Sequence, residues 1–212
     1  MGKLRIAGVA EGLRNCGPGK RIVIWVQGCS LACPGCFSRR LQDKEGGTLV
    51  DRTKLAKLIS RLAPGHDGLT LTGGEPFDQA GELSELVSYV RDNSELDILA
   101  YSGYTLEEIL SGTPEMRELL RRLDILIDGR FMEEKRIHHP WIGSSNQRLL
   151  FLNPVIRRKY RHVLDGEPGP VVMHVRVSDD RIHLIGVPGE GFLKRLSEGL
   201  SRKGIKVEGL DG

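Results

Sequence analysis

The pattern that most limits the fold of this chain is a series of short apolar runs, each followed by a polar or glycine-rich turn. Arg21–Val26 (RIVIWV), Leu69–Thr72, Asp97–Tyr101, Asp124–Asp128 and Arg148–Leu152 read as strands. Their apolar residues are near-continuous rather than alternating with polar ones, as expected when both faces of a strand are covered. Between them lie helical spacings. Leu55, Leu58, Ile59 and Leu62 end at Pro64-Gly65, Leu83, Leu86, Val87 and Val90 share one face, and Leu106–Leu123 is interrupted at Pro114. Strand and helix alternating through short connections predict right-handed crossovers and a parallel sheet, hence an α/β fold class. The turns at 27–36, 73–76, 102–104 and 128–130 follow strands, and parallel α/β folds place their sites at those carboxyl ends.

After Asn153-Pro154 the texture changes. Val171–Val177 and Arg181–Val187 flank Ser178-Asp179-Asp180 and predict an antiparallel hairpin. Phe192, Leu196 and Leu200 then predict a closing helix. The expected organisation is a core domain over 1–154 and a small α+β extension, hairpin and helix, over 155–212.

With 212 residues, 39% of them apolar and 28% charged, the chain reads as one globular domain with an appendage. No apolar run approaches the roughly 20 residues of a membrane-spanning helix, and the N-terminus lacks a signal-peptide segment, so no membrane association and a cytoplasmic location are expected. A net charge of +3 is too small to imply nucleic-acid binding. Between Arg130 and His162, eight Lys and Arg face only Glu133 and Glu134, a solvated surface or a docking face for an acidic partner.

Four cysteines are present, and Cys29, Cys33 and Cys36 fall in one C-x3-C-x2-C loop directly behind the first predicted strand. Such clustering points to metal rather than to a disulfide framework. Three thiolates on one loop can hold three irons of a [4Fe–4S] cubane and leave the fourth open to a small molecule. Zinc is the alternative, with a fourth ligand from Cys16 or a histidine. Cys16 itself reads as a buried structural cysteine or, less simply, a functional thiol.

The triplet followed by Gly73-Gly74-Glu75-Pro76 after a second strand resembles the radical S-adenosylmethionine (SAM) superfamily. Within it, three stretches resemble activators of glycyl-radical enzymes, especially of anaerobic ribonucleotide reductase: Gly28–Phe37, Tyr101–Thr105, and Ile127–Phe131 continuing to Gly143–Arg148. The resemblance implies a partial (β/α)6-type TIM barrel of parallel strands, a [4Fe–4S] cluster on Cys29, Cys33 and Cys36, and SAM as cofactor. By the same resemblance the Gly73–Pro76 stretch contacts the methionine amino group of SAM and Phe37 the adenine. Ser102, Gly103 and Asp128 line the SAM pocket, and Ser144 and Asn146 lie at its mouth. Asp128 also fits a helix N-cap, and Ser144–Asn146 an ordinary turn.

The activity so implied is reductive cleavage of SAM to a 5′-deoxyadenosyl radical that takes hydrogen from a glycine of a partner enzyme. A reductant such as flavodoxin or ferredoxin would supply the electron. A radical SAM enzyme acting on a nucleoside or deazapurine-type small molecule, and a non-catalytic zinc-binding module, are the rival readings. Residues 155–212 are not explained by the activator core.

Overall fold

The computed structural model describes residues 2–164, 173–178, 181–186 and 191–205. Its centre is a seven-stranded sheet built from β1 (Lys3–Leu13), β2 (Arg21–Val26), β3 (Thr48–Asp51), β4 (Gly68–Gly73), β5 (Asp97–Tyr101), β6 (Ile125–Asp128) and β7 (Arg148–Phe151), in the order β3-β1-β2-β4-β5-β6-β7. The four strands β2, β4, β5 and β6 are parallel, and β1, β3 and β7 pair antiparallel with their neighbours. The sheet is open, which corrects the expected partial TIM barrel of parallel strands. The reason lies in the connections. A parallel return needs a crossover of a dozen or more residues, usually carrying an α-helix. β1 turns into β2 through residues 14–20, and the segment from β6 to β7 contains only a three-residue 3-10 turn, Glu133–Lys135, so both pairs run antiparallel.

Side chains alternate across the sheet with the two-residue period of a strand. Ile22, Ile24 and Val26 of β2, Leu69 and Leu71 of β4, Ile98 and Ala100 of β5, and Leu126 of β6 point to one face. There they meet α1 (Arg52–Leu62) through Leu55 and Ile59, α2 (Ala80–Asp92) through Leu83, Leu86, Val87 and Val90, α3 (Leu106–Ser111) through Ile109, and α4 (Pro114–Arg121) through Leu119 and Leu120. The break expected at Pro114 is real: Pro114 opens α4, whose cap is Thr113, accepting from the Met116 amide. Asp51 caps α1 in the same way, and Thr105 with Glu108 forms a reciprocal capping box at α3.

The opposite face carries Val23, Thr70, Thr72, Leu99, Tyr101, Ile125 and Ile127. Near β5 and β6 it is covered by Tyr160, Ile156 of α5 (Pro154–Lys159) and Trp141, and near β1 and β2 by Ile185. Ile185 ends β9 (Arg181–Ile185), which pairs antiparallel with β8 (His174–Ser178). The hairpin is thus present, though residues 171, 172 and 187 of its expected runs lie outside those described. Asn15 Nδ2 donates to Ile185 O at 2.5 Å, which fixes it to the segment before β2. α6 (Arg161–Leu164) and α7 (Phe192–Ser201, the expected closing helix) complete the described elements. Among the described residues no helix is long and apolar enough to cross a membrane.

At the amino ends of the parallel strands sits a buried charge cluster. The fully buried Arg21 side chain donates to Thr70 Oγ1 at 2.6 Å and to Leu69 O and Pro18 O at 2.9 Å. Its Nη1 lies 2.7 Å from Asp97 Oδ1, an ion pair off the hydrogen-bond axis. Asp97 Oδ2 accepts from Tyr160 Oη at 2.6 Å and Lys159 Nζ at 3.0 Å. Cys16 is buried beside this cluster, and burial pushes its thiol up to about 12, so it is a neutral packing residue near neutral pH.

Candidate functional site

At the opposite ends of the same strands, the chain after β2 turns outward as the cysteine loop. Gly28 (φ +95°) begins the turn, and its amide donates to Leu41 O while the Cys29 amide donates to Gln42 O at 3.2 Å. The loop is therefore strapped to residues 41–42. A second strap comes from β4, because the Glu75 amide donates to Gly28 O at 2.9 Å and the Gly74 amide to Val26 O at 2.8 Å. A Cβ at Gly74 would collide with Gly28 O, and one at Gly73 (φ +105°) would lie 2.6 Å from Val26 O. The two glycines are thus required first by the close approach of β4's end to the cysteine loop.

A third strap is Asp78. It accepts the Ser30 amide at 2.7 Å and the Ser30 hydroxyl at 2.8 Å, and Tyr104 Oη lies 3.0 Å from Ser30 Oγ. Two of these bonds end on a carboxylate, which makes them stronger than neutral ones. Asp78→Ala is expected to loosen the loop one residue past Cys29. Reconstituted protein should then surrender iron to a chelator several-fold faster than the wild type, with an unchanged circular dichroism spectrum.

Cys29, Cys33 and Cys36 are free, partly exposed thiols lining one pocket of about 130 Å³. Burial pushes Cys29 and Cys33 up. Among the described residues no three His, Cys, Asp or Glu side chains converge as ligands of a single metal ion. Three thiols on one loop sharing a pocket can hold three irons of a polynuclear centre.

The same pocket is walled by Thr72, Gly73, Gly74, Glu75, Tyr101, Ser102 and Gly103 from the ends of β4 and β5. Glu75 is 2% exposed, and its carboxylate accepts from three chain donors. Phe77 N and Ser102 Oγ reach Oε1, both at 2.9 Å, and Gly103 N reaches Oε2 at 2.8 Å. Glu75 thereby clamps the ends of β4 and β5 together. Burial pushes its carboxyl up to about 7, with the three donors and a weaker Coulombic push from Asp78 as lesser influences.

The sign of the resulting pH effect follows from linkage. A folded carboxyl holding its proton to about 7 binds more protons than an unfolded one titrating near ~4.3, so stability falls as pH rises between those values. Glu75→Gln is expected to remove that slope in urea unfolding of the apoprotein. It should also cost about 1–3 kcal/mol, because one amide N–H would face the Gly103 donor.

The structure brings together Cys29, Cys33, Cys36, Gly73, Gly74, Glu75, Ser102 and Gly103 of the residues expected from sequence. It sets five others behind the wall. Phe37 packs on Phe131 with ring centroids 4.9 Å apart, and Phe131, not Phe37, lines the pocket, as Tyr101 does. Pro76 opens the 3-10 turn after Glu75. Asp128 is fully buried, accepts the Leu106 amide at 2.6 Å and is ion-paired to Arg148, which also grips Glu107. Ser144 accepts the Met132 amide, and Asn146 donates to Arg130 O at 2.8 Å. These contacts fasten the loop at 143–148 onto the one at 128–132. Leu31, Gln42, Thr72, Tyr101, Gly129, Phe131 and Gln147 line the pocket without having been singled out from sequence. Leu31, Tyr101, Gly129, Phe131 and Gln147 lie inside the stretches that carry the family resemblance, Thr72 directly precedes Gly73, and Gln42 had no signal.

Three thiols on a loop at the carboxyl end of a parallel sheet, facing a second wall of backbone and one buried carboxylate, define a cluster-binding α/β protein. A family model described as a 4Fe-4S single cluster domain matches residues 16–150. The chain is also 37% identical over 137 residues to the anaerobic ribonucleoside-triphosphate reductase-activating protein of Enterobacteria phage T4, a match covering 63% of this chain and 85% of the relative. Proteins of the same name from Pasteurella multocida and Haemophilus influenzae are 33% and 32% identical over 139 residues, covering 62% of this chain and 87% of each relative. The chain belongs to this 4Fe-4S single cluster family, as a radical SAM enzyme of the glycyl-radical activator type.

Proposed function

We propose that this protein cleaves SAM reductively and uses the product to generate a glycyl radical on a partner enzyme, an anaerobic ribonucleotide reductase. The observation that carries the reading is the joining, in one pocket, of the cysteine triplet with the Gly73–Glu75 wall, on a chain similar to reductase activators over most of their length. The chemistry such a cluster would supply is one electron for the reductive cleavage of SAM to methionine and a 5′-deoxyadenosyl radical. Cys29, Cys33 and Cys36 would hold the cluster. Gly73, Gly74 and Gly103, whose backbone lines the pocket, would lie against SAM, with Ser102 and Glu75 fixing that wall. Phe131, backed by Phe37, would form the apolar side, and Asp128, Ser144 and Asn146 would act at one remove by holding the loop that carries Phe131.

A soluble one-electron donor of the flavodoxin or ferredoxin kind, a cytoplasmic setting, and a division into a catalytic core (1–154) and an added C-terminal unit (155–212) belong to the same proposal. The test is anaerobic incubation with an anaerobic ribonucleotide reductase, SAM and a reductant, followed by electron paramagnetic resonance. A glycyl-radical signal dependent on this protein supports the partner. SAM cleavage without any radical on the reductase would refute the partner and leave a small-molecule substrate in its place.

A further inference from the structure

The sheet face opposite the helices changes character from one layer of side chains to the next. Ala10, Val23, Thr70 and Leu99 are register neighbours on β1, β2, β4 and β5, and all four are buried. Their cover comes in part from residues beyond the matched 16–150. Ile185 packs on the group of Ala10 and Val23, and Tyr160 and Ile156 on that of Leu99. The layer nearer the cysteines is open. Gly8 pairs with Trp25 and Trp25 with Thr72, and Tyr101 follows on β5, one residue past the Leu71–Ala100 pair. These four residues are partly exposed, and a Cβ at Gly8 would meet no atom within 4 Å. Thr72 and Tyr101 also line the pocket of the three thiols, so the row is the floor of a trough that runs from β1 into the site. Among the described residues, the side chains of Trp25, Thr72 and Tyr101 make no hydrogen bond. Thr70, one layer down, is saturated: it donates to Cys16 O at 2.8 Å and accepts from Arg21 Nε at 2.6 Å.

We infer that the row Gly8–Trp25–Thr72–Tyr101 binds an extended, uncharged stretch of polypeptide, the glycine-bearing segment of the partner enzyme. This rests on the reading of the protein as a glycyl-radical activator. Four adjacent strands span about 14 Å, the length of roughly four extended residues. One layer of a strand is about 7 Å deep, room for a single extended chain but not for a helix ~10–12 Å across. The row offers one N–H donor and two hydroxyls that both donate and accept, and a backbone presents one donor and one acceptor per residue. No Lys or Arg lines the pocket, so a phosphate-bearing substrate would meet no cation there. A glycine, having no side chain, can lie lowest over Thr72 and Tyr101, next to the thiols. Ile185, Ile156 and Tyr160 then form the lower rim of the trough, which gives these residues after 150 a part in holding the partner.

The experiment uses the full chain, reconstituted anaerobically, and a dye-labelled synthetic peptide that copies the glycine segment of an anaerobic ribonucleotide reductase. Fluorescence anisotropy reads binding to wild type, Gly8→Ala, Gly8→Phe and Thr72→Val at matched iron content. Gly8 lies outside the left-handed region and has open space above it, so a side chain there projects into the trough without backbone strain. Peptide affinity weakened about tenfold or more in Gly8→Phe, and less in Gly8→Ala, supports the trough. Wild-type affinity in Gly8→Phe overturns it, as does wild-type affinity in Thr72→Val should Gly8→Phe not fold. A wild type that binds a nucleoside but not the peptide also overturns it. SAM affinity is measured on the same samples, and its loss in step with peptide affinity would assign the row to SAM instead. A wild type that takes up no cluster, or leaves SAM intact, fails earlier and refutes the reading of the site itself.

Discussion

Cys33→Ala is expected to yield a folded, colourless protein that retains at most background iron and leaves SAM intact. Cys33 lies in the middle of the loop between Cys29 and Cys36 and is partly exposed, so its loss removes no core packing. The straps that hold the loop run through Gly28, Cys29 and Ser30 to Leu41, Gln42, Glu75 and Asp78, and none passes through the Cys33 side chain. The thermal midpoint of the apoprotein should therefore stay within a few degrees of the wild type, as for a partly exposed site away from the core. With two thiolates left, one iron of a cubane loses its protein ligand and no fourth cysteine is at hand. Cys16, the remaining one, is buried at the far end of the strands. Iron and sulfide analysis together with a melt makes the check. Full iron retention by Cys33→Ala would mean that the cluster is not held as described.

The second large effect falls on Asp97, remote from the pocket. Its carboxylate faces the buried Arg21 guanidinium on one oxygen and Tyr160 and Lys159 on the other. Asp97→Ala leaves Arg21 charged, fully enclosed and without its counterion, a change worth about 3–5 kcal/mol. That is a large share of the roughly 5–15 kcal/mol that stabilises an ordinary domain. Tyr160→Phe, which removes one hydrogen bond and leaves the ion pair, should cost about 1 kcal/mol. Urea unfolding of the apoprotein checks both. A loss below about 1 kcal/mol for Asp97→Ala would show that Arg21 is satisfied by Thr70 Oγ1 and the backbone carbonyls of Leu69, Pro18 and residue 97 alone. The contact has a further consequence for the segment after the matched residues 16–150. Tyr160 and Lys159 follow the matched region and close over the amino ends of the strands, so these residues share in the charge balance of the sheet.

The four parallel strands were legible because each is a compact apolar run, buried on both faces and bounded by turn residues. β1 was not, and its bulges explain why. Register shifts between Ile6 and Gly8 and between Ala10 and Leu13 move its side chains from one face to the other. Leu4 and Ile6 thus join the helix-covered core, while Ala10 and Leu13 join Val23 and Cys16 behind the sheet. A strand that changes faces has no steady two-residue period to read. The direction of β7 was hidden for a different reason, since orientation depends on what the 19-residue span from Gly129 to Gln147 contains, and that span holds no crossover helix.

The site divides in the same way. The cysteines and the Gly73–Glu75 stretch are local motifs whose spacing alone restricts the chemistry, and they meet in one pocket. Asp128, Ser144 and Asn146 lie in stretches that carry the family resemblance. Such a resemblance marks a segment as needed without saying whether its side chains face the ligand or the framework, and the contacts these three make within the chain join the loops at 128–132 and 143–148. Gln42 and Asp78 belong to no motif that distinguishes them, and only the folded arrangement places them against Cys29 and Ser30.

The most direct test of the central claim is anaerobic reconstitution of the full chain with iron and sulfide, followed by dithionite and SAM and quantification of 5′-deoxyadenosine. The protein described here should turn brown, bind about four irons per chain as a single cubane requires, and release 5′-deoxyadenosine and methionine. A colourless protein that binds stoichiometric zinc on the same cysteines and leaves SAM intact would contradict it.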